Sequence, residues 1–183
     1  TPAGLEHVFF SSDGSSANEV ALKAAFQYWR QCKEPRPRKS KFLTFGEAYH
    51  GDTLGAASVG GIAKFQSVFS PLLFEVIRAP QPDARRSPQA EFFLTETEAL
   101  LRSHHEELAG IIVEPMMQGA AGMVMQPPGF MRGLRELATR SQTGAADFGV
   151  ERARLIKAKA DLAEMDAAVR RGDSQAPLKA VCI

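Results

Sequence analysis

The sequence predicts an α/β fold in which helices flank a mainly parallel sheet. Three short apolar stretches, at residues 5–10, 41–45 and 109–113, have the length and composition of buried strands. Segments with helical periodicity lie between them. Strands that alternate with helices, and that are apolar on both faces, are typical of a sheet covered by helices on each side.

The first helix is predicted over residues 16–31. Ser16 and Glu19 have the spacing of a capping box, in which the serine hydroxyl accepts from the Glu19 amide and the Glu19 side chain reaches back. Residues 33–41 are basic and contain prolines, so they should form a surface connection. One face of the helix is apolar and should pack on the sheet; it carries Ala21, Leu22, Ala25, Phe26 and Trp29.

Three further helices continue the alternation. A short one should start after Asp52 or Thr53, either of which can cap it, and end near residues 60–61, where two glycines stand. Longer helices are predicted over residues 91–108 and 129–140. In the first of these two, the candidate buried positions are Leu94, Leu100, Leu101 and Leu108.

The connections carry the turn-forming residues. The last predicted strand ends at Glu114, which is followed by a proline. Residues 80–88 are rich in proline and charge, and residues 118–128 are rich in glycine and proline, so both should be surface loops. Residues 62–73 show no pattern that favours one structure.

The chain divides at the end of the last predicted helix. Residues 1–140 form the α/β part, 141–149 a polar linker, 150–173 a helical extension and 174–183 a tail. The extension has a heptad-like apolar spacing over about two heptads. Because the chain starts without methionine, we expect it to be an internal portion of a longer protein.

Composition excludes several classes of function. The formal net charge of +1 gives no electrostatic reason to expect nucleic acid or an anionic membrane as a partner. No run of about 18 apolar residues is present, so no membrane-spanning helix is expected. The two cysteines, Cys32 and Cys182, form neither a disulfide framework nor a metal site, so we expect no metal and a reducing, cytoplasmic compartment.

Five residues from three separate segments could form one binding site. Gly14 and Ser15 open the first helix, where free N–H groups and the positive helix end suit a phosphate. Tyr49 can stack on a flat ring, and His50 can hydrogen-bond or relay protons. Glu114 ends a buried strand, where open α/β sheets place site residues. Each also has an ordinary interpretation: a plain helix cap, a packed Tyr-His loop and a strand-end carboxylate in water.

Over residues 5–140, the order and the residues of these segments resemble those of the class III pyridoxal-phosphate-dependent aminotransferases. The Tyr-Trp pair that ends the first helix, and the Gly-Asp-Thr that follows Tyr-His, favour the biotin-pathway branch of that class. The stretches that carry the resemblance are 19–23, 27–29, 42–45, 49–53, 55–56, 58–59, 113–115, 118–120 and 122–123.

The resemblance implies part of the large domain of a fold-type I transferase and a homodimer with its active sites at the subunit interface. Gly14 and Ser15 would bind the phosphate of pyridoxal 5'-phosphate, and Tyr49 would stack on its ring and face the substrate. His50 and Glu114 would lie in the polar shell around the ring. In this branch, an amino group passes from S-adenosylmethionine to the keto acid 8-amino-7-oxononanoate.

Two departures from the family pattern affect the expected activity. Asp13 stands where the family usually has serine, and an ionised carboxylate beside a phosphate is repulsive unless it turns away. After Arg140, neither the strand whose Asp pairs with the pyridine nitrogen nor the lysine that binds the cofactor covalently is recognisable. Asp147 lies in a polar context and is not assigned that role, so the catalytic residues stay unknown. We therefore expect no amino transfer by this chain alone.

Two other functions are compatible with the sequence. One is amino transfer from a different amine, as in the class III enzymes that act on ornithine or ω-amino acids. The other is a non-catalytic interaction module, in which the α/β part carries an assembly helix at residues 150–171.

Overall fold

A computed structural model describes residues 9–143. The predicted linker from residue 144 onward, the helical extension and the tail lie outside the described residues, as do residues 1–8. Five α-helices, one 3-10 helix and five strands occur in the described range. In chain order they are α1 (Gly14–Gln31), β1 (Lys41–Phe45), α2 (Leu54–Val59), α3 (Ala63–Gln66), the 3-10 helix (Ser67–Leu72), β2 (Ile77–Ala79), α4 (Ala90–His104), β3 (Leu108–Ile111), β4 (Met117–Gln118), β5 (Val124–Met125) and α5 (Phe130–Thr143).

Three of the strands form a parallel sheet in the order β2-β1-β3. Leu43 of the central strand is in register with Ile77 on one side and Ile111 on the other. The remaining two strands form a two-residue antiparallel hairpin, β4-β5. The predicted α/β class with a mainly parallel sheet is therefore confirmed.

The central strand alternates its side chains between two apolar clusters. Leu43 and Phe45 belong to a cluster built with α4 and α5, whereas Phe42 belongs to one built with α1 and α2. Since successive strand residues point to opposite faces, the sheet is covered on both sides. We call the first cluster the α4–α5 core; its buried residues are Leu43, Phe45, Ile77, Ala79, Ala90, Phe93, Leu101, Leu108, Phe130, Leu134 and Leu137.

The start of α1 differs from the capping box that the sequence predicts. The helix begins at Gly14, and its N-cap is Asp13, whose carboxylate accepts from the Ser16 amide at 2.8 Å. Glu19 does not reach back, because its Oε1 accepts from the Gly55 amide at 2.7 Å. The capping box was therefore wrong: a stronger acceptor lies one turn earlier, and the tertiary structure engages the glutamate elsewhere. The predicted end at Gln31 is confirmed.

One buried aromatic residue forms a hydrogen bond between α1 and the sheet. The Trp29 indole N–H donates to the Ala109 carbonyl at 2.8 Å, and Leu22 is buried beside it. Phe26, predicted for the same face, is 39% exposed.

Lys39, predicted on the surface, is buried. Its ammonium group donates to the carbonyls of His105 and Leu108 and lies 4.6 Å from the centre of the Trp29 ring system.

Other boundaries moved or were missed. Helix α4 ends at His104, so Leu108 begins β3 and is not helical. Helix α5 extends three residues past Arg140, to Thr143. Of the strand predicted over residues 5–10, only Phe9 and Phe10 are described, and both are exposed and outside any strand.

The short strands β2, β4 and β5 were not predicted; β4 begins one residue before the loop expected over residues 118–128, and β5 lies inside it. In the described part of the chain, no helix is long and apolar enough to cross a membrane.

Candidate functional site

Glu114 joins two loops at the carboxyl edge of the sheet. It follows β3, and its two carboxylate oxygens accept from different backbone amides. Oε1 accepts from Tyr49 at 2.9 Å, and Oε2 accepts from Gly119 at 3.0 Å. Hydrogen bonds from N–H groups to a charged oxygen are among the stronger ones in proteins. Glu114 therefore fixes the loop after β1 against the hairpin that follows β3.

The same loop contacts the start of α1. The Asp52 amide donates to Ser15 Oγ at 3.2 Å, and the Tyr49 hydroxyl donates to Asp52 Oδ2 at 2.9 Å. Gly51, with φ of 123°, lies against the helix so closely that a Cβ there would stand 2.7 Å from Ser15 Cβ. Only glycine suits this conformation and this spacing.

A continuous series of hydrogen bonds thus runs from Ser15 through Asp52 and Tyr49 to Glu114. We call these four residues the Tyr49–Glu114 network. The structure brings together all five residues predicted for the site. Gly14 and His50 are the chain neighbours of Ser15 and Tyr49. From the sequence, Asp52 was expected only as a candidate helix cap and not as a site residue, although it lies inside the Tyr-His-Gly-Asp-Thr motif.

Tyr49 has a phenol that stays protonated. The hydrogen bond to Asp52, followed by burial, raises the pKa of Tyr49 above its ordinary value, because ionisation would place two negative charges together. Its ring meets Phe65 edge to face, with centroids 6.0 Å apart. The backbone amide of this residue, and not only its ring, is part of the site through Glu114.

His50 is a buried imidazole with an unused nitrogen. It is 8% exposed, and desolvation lowers its pKa to about 4, so the ring is neutral at physiological pH. Its backbone carbonyl accepts from Asn18 Nδ2 at 2.5 Å. Among the residues that the structure describes, neither His50 Nε2 nor the nearby Thr53 Oγ1 has a hydrogen-bond partner, although both atoms are buried. Such atoms are uncommon in folded proteins and fit a site that acquires polar partners on binding.

Gln118 holds the chain segments next to the site together through two side-chain hydrogen bonds. Its side chain is 1% exposed; it accepts from Gln81 Nε2 and donates to the Gly46 carbonyl, both at 2.9 Å. Glu19 acts similarly between α1 and α2 through the Gly55 amide. Sequence reasoning missed both supporting roles, because each depends on a partner at least 36 residues away.

The arrangement suits a flat ligand that carries an anion. Apart from its chain neighbours and its own helix, no atom of residues 9–143 lies within 4 Å of the place where a Gly14 Cβ would be, so this side of the helix start has room for a ligand among the described residues. Tyr49 supplies an aromatic ring and His50 a neutral imidazole with a free nitrogen position. The exception is Asp13, whose carboxylate takes the Ser16 amide at the same helix start.

Comparisons with known proteins place the chain among transaminases. The family model described as Aminotransferase class-III matches residues 1–143. The adenosylmethionine-8-amino-7-oxononanoate aminotransferase of Geobacter sulfurreducens is 51% identical over 147 residues, covering 76% of this chain and 32% of that protein. The chain spans about a third of the length of the curated relatives it matches.

Solved structures give the same result for the fold. The crystal structure of the enzyme of the same name from Methanocaldococcus jannaschii has 38% identity and a TM-score of 0.67, covering 77% of this chain and 30% of that one. An (S)-enantioselective omega-transaminase from Thermomicrobium roseum has 30% identity and a TM-score of 0.70, covering 76% of this chain and 32% of that one. The fold-type I large domain expected from the resemblance is confirmed.

Proposed function

This chain belongs to the class III aminotransferases, and on that premise we propose that it forms the part of a large domain that holds pyridoxal 5'-phosphate. We further propose that the whole protein transfers an amino group from S-adenosylmethionine to 8-amino-7-oxononanoate, as the name of its relatives states. The supporting observation is the Tyr49–Glu114 network. It unites the helix start, the Tyr-His loop and the strand-end carboxylate at one edge of the sheet.

Each residue has a separate task in this proposal. The amides of Gly14 and Ser15, at the positive end of α1, would hold the cofactor phosphate. Tyr49 would stack on the ring and face the substrate, with its phenol held by Asp52. Glu114 would keep the Tyr49 loop in place through the amide it accepts from, and His50 would offer a neutral nitrogen to a polar group.

The cofactor, when bound, supplies an electron sink for carbanion chemistry. The covalent attachment and proton transfer that such chemistry needs are usually the work of a lysine, and after Arg140 the lysine of the family motif is not recognisable. We therefore propose that catalysis requires protein groups beyond those assigned here. The homodimer, the small-molecule amino donor and keto-acid acceptor, and the cytoplasmic location are parts of the same proposal.

Transfer from another amine is the second candidate. It is supported by the 30% identity with the omega-transaminase of Thermomicrobium roseum. The biotin-pathway function is favoured over it, because three bacterial relatives that share one name have sequence identities of 46–51% with this chain. The interaction module with an assembly helix depends on residues 150–171, which lie outside the described range.

Calorimetric titration with pyridoxamine 5'-phosphate tests the cofactor site, because this ligand lacks the aldehyde that would react with surface lysines. Pyridoxamine, which lacks only the phosphate, is the matched ligand. We expect the phosphorylated ligand to bind at least tenfold more tightly. Glu114→Gln should weaken binding about tenfold, since one backbone amide loses a charged acceptor and is left facing an NH2 group.

The control is Glu106→Gln, which removes the same charge from an exposed ion pair with Arg38 and should leave binding unchanged. Equal affinities for the two ligands would exclude the phosphate site. A second titration uses pyridoxal phosphate with borohydride and intact-mass measurement. A stoichiometric adduct on one lysine would contradict the view that the anchoring lysine is not in this chain.

A further inference from the structure

Asp13 occupies the anion position at the start of α1. Its Oδ1 accepts from the Ser16 amide at 2.8 Å, and its Oδ2 accepts from the Ser16 hydroxyl at 3.1 Å and the Ser12 hydroxyl at 3.2 Å. The residue is extended, with φ of −161°, and its carboxylate folds over the first turn as an N-cap does. The helix start is therefore already neutralised by a side chain of the protein.

The charge of this carboxylate is present under ordinary conditions. The hydrogen bonds from Ser16 hold the pKa of Asp13 below its usual range. A phosphate placed at Gly14 and Ser15 would seek the same positive helix end. Since the carboxylate is the neighbour of Gly14 in the chain, a bound phosphate and an ionised Asp13 would repel each other.

We propose that Asp13 is an intramolecular competitor that lowers the affinity of this site for phosphate-bearing ligands. This inference rests on the proposed function, because it assumes that the phosphate binds at Gly14 and Ser15. The part of the chain that the structure describes leaves room for a phosphate beside Gly14, but the carboxylate must turn away from the Ser16 amide for the ligand to obtain the full attraction of the helix. Binding then exchanges one anion for another at the helix start. The net gain in binding free energy is therefore smaller than at a helix with an uncharged N-cap.

Asp13→Asn isolates the charge. Asparagine is about as good an N-cap as aspartate, so the helix start is preserved while the negative charge is removed. We expect Asp13→Asn to bind pyridoxamine 5'-phosphate about tenfold more tightly than the unchanged chain, the scale expected for one exposed charge acting on a nearby dianion. Inorganic phosphate should show the same gain, and pyridoxamine none. Circular dichroism should show unchanged helix content.

Glu136→Gln controls for net charge, because Glu136 is an exposed residue of α5, which packs on the opposite face of the sheet from α1. It should leave all three affinities unchanged. If Asp13→Asn leaves the preference for the phosphorylated ligand as it was, the cofactor site stands and the competitor is excluded. If neither chain distinguishes pyridoxamine phosphate from pyridoxamine, the phosphate site itself is excluded, and the competitor with it. An equal gain in Glu136→Gln would also overturn the inference, since overall charge would then explain it.

Discussion

The α4–α5 core and the Tyr49–Glu114 network lie on the same sheet but are held by different forces. The core is apolar: Phe45 and Phe130 are fully buried and meet edge to face, with ring centroids 5.5 Å apart. A buried hydroxyl of α4, that of Thr97, donates to the Phe93 carbonyl of its own helix at 2.8 Å. The network consists instead of polar and charged side chains that bond to backbone amides and, at Tyr49 and Asp52, to each other.

This difference indicates what each region is for. Apolar burial contributes most of the free energy of folding, and it requires no ligand. The site region leaves His50 Nε2 and Thr53 Oγ1 buried without partners in the described part of the chain, which costs stability unless binding compensates for it. Substitutions in the core should therefore change stability, whereas those in and around the network should change ligand affinity as well.

The largest expected effect follows from Phe130→Ala. The ring is fully buried against Phe45, so its removal leaves a cavity and should lower the free energy of unfolding by about 3–5 kcal/mol. Urea denaturation measures the loss. The matched control is Phe92→Ala, because Phe92 is 52% exposed and should cost less than half as much. Equal losses would contradict the assignment of the α4–α5 core as the main source of stability.

Gly51→Ala tests the network from its tightest point. An added methyl group would stand within 3 Å of Ser15 Cβ, at a φ of 123° that alanine rarely adopts. We expect a cost of about 2–3 kcal/mol in stability and a loss of more than tenfold in affinity for pyridoxamine phosphate, as α1 and the Tyr49 loop separate. Gly119→Ala is the control, since it keeps the backbone amide and, among the described residues other than its chain neighbours, no atom lies within 4 Å of its Cβ position. If both variants bound alike, close packing at Gly51 would have no role in the site.

The same contrast explains what the sequence could and could not predict. The elements of the fold that depend on local pattern were predicted: the end of α1, the whole of β1 and the short α2 between Thr53 and Gly60. Strand β2 has only three residues, with Arg78 in the middle, so its pattern is too short to identify. It is a strand because it pairs with β1.

Contacts between side chains and partners distant in sequence could not be predicted, for the same reason. Asp13 and Ser16 are both good cap residues, and only the contact of Glu19 with Gly55 removes the partner that Ser16 needed. Lys39 looked like a solvated charge, but it is buried because two carbonyls and the Trp29 ring surround its ammonium group. The motifs indicated residues that lie close together in the structure, but not that Glu114 binds the amides of Tyr49 and Gly119.

The smallest effect expected is a pH dependence that belongs to the site and not to the core. His50 has a pKa of about 4 in the folded chain, whereas an exposed imidazole has one of about 6.5. As the pH falls from 6.5 towards 4, the unfolded chain binds a proton that the folded chain does not. With respect to His50, the free energy of unfolding therefore has its full value above pH 6.5. It should decline by about 1 kcal/mol per pH unit below that pH.

Urea denaturation of the unchanged chain and of His50→Gln at pH 7.0, 6.0 and 5.0 measures this slope. His50→Gln cannot titrate, so the difference in unfolding free energy between the two chains should shift in favour of the variant as the pH falls. The lowered carboxylate pKa values of Asp13, Asp83 and Glu107 are shared by both chains and cancel in that difference. Parallel profiles would mean that the imidazole is not buried as a neutral group, and His50 would then not distinguish the site from the α4–α5 core.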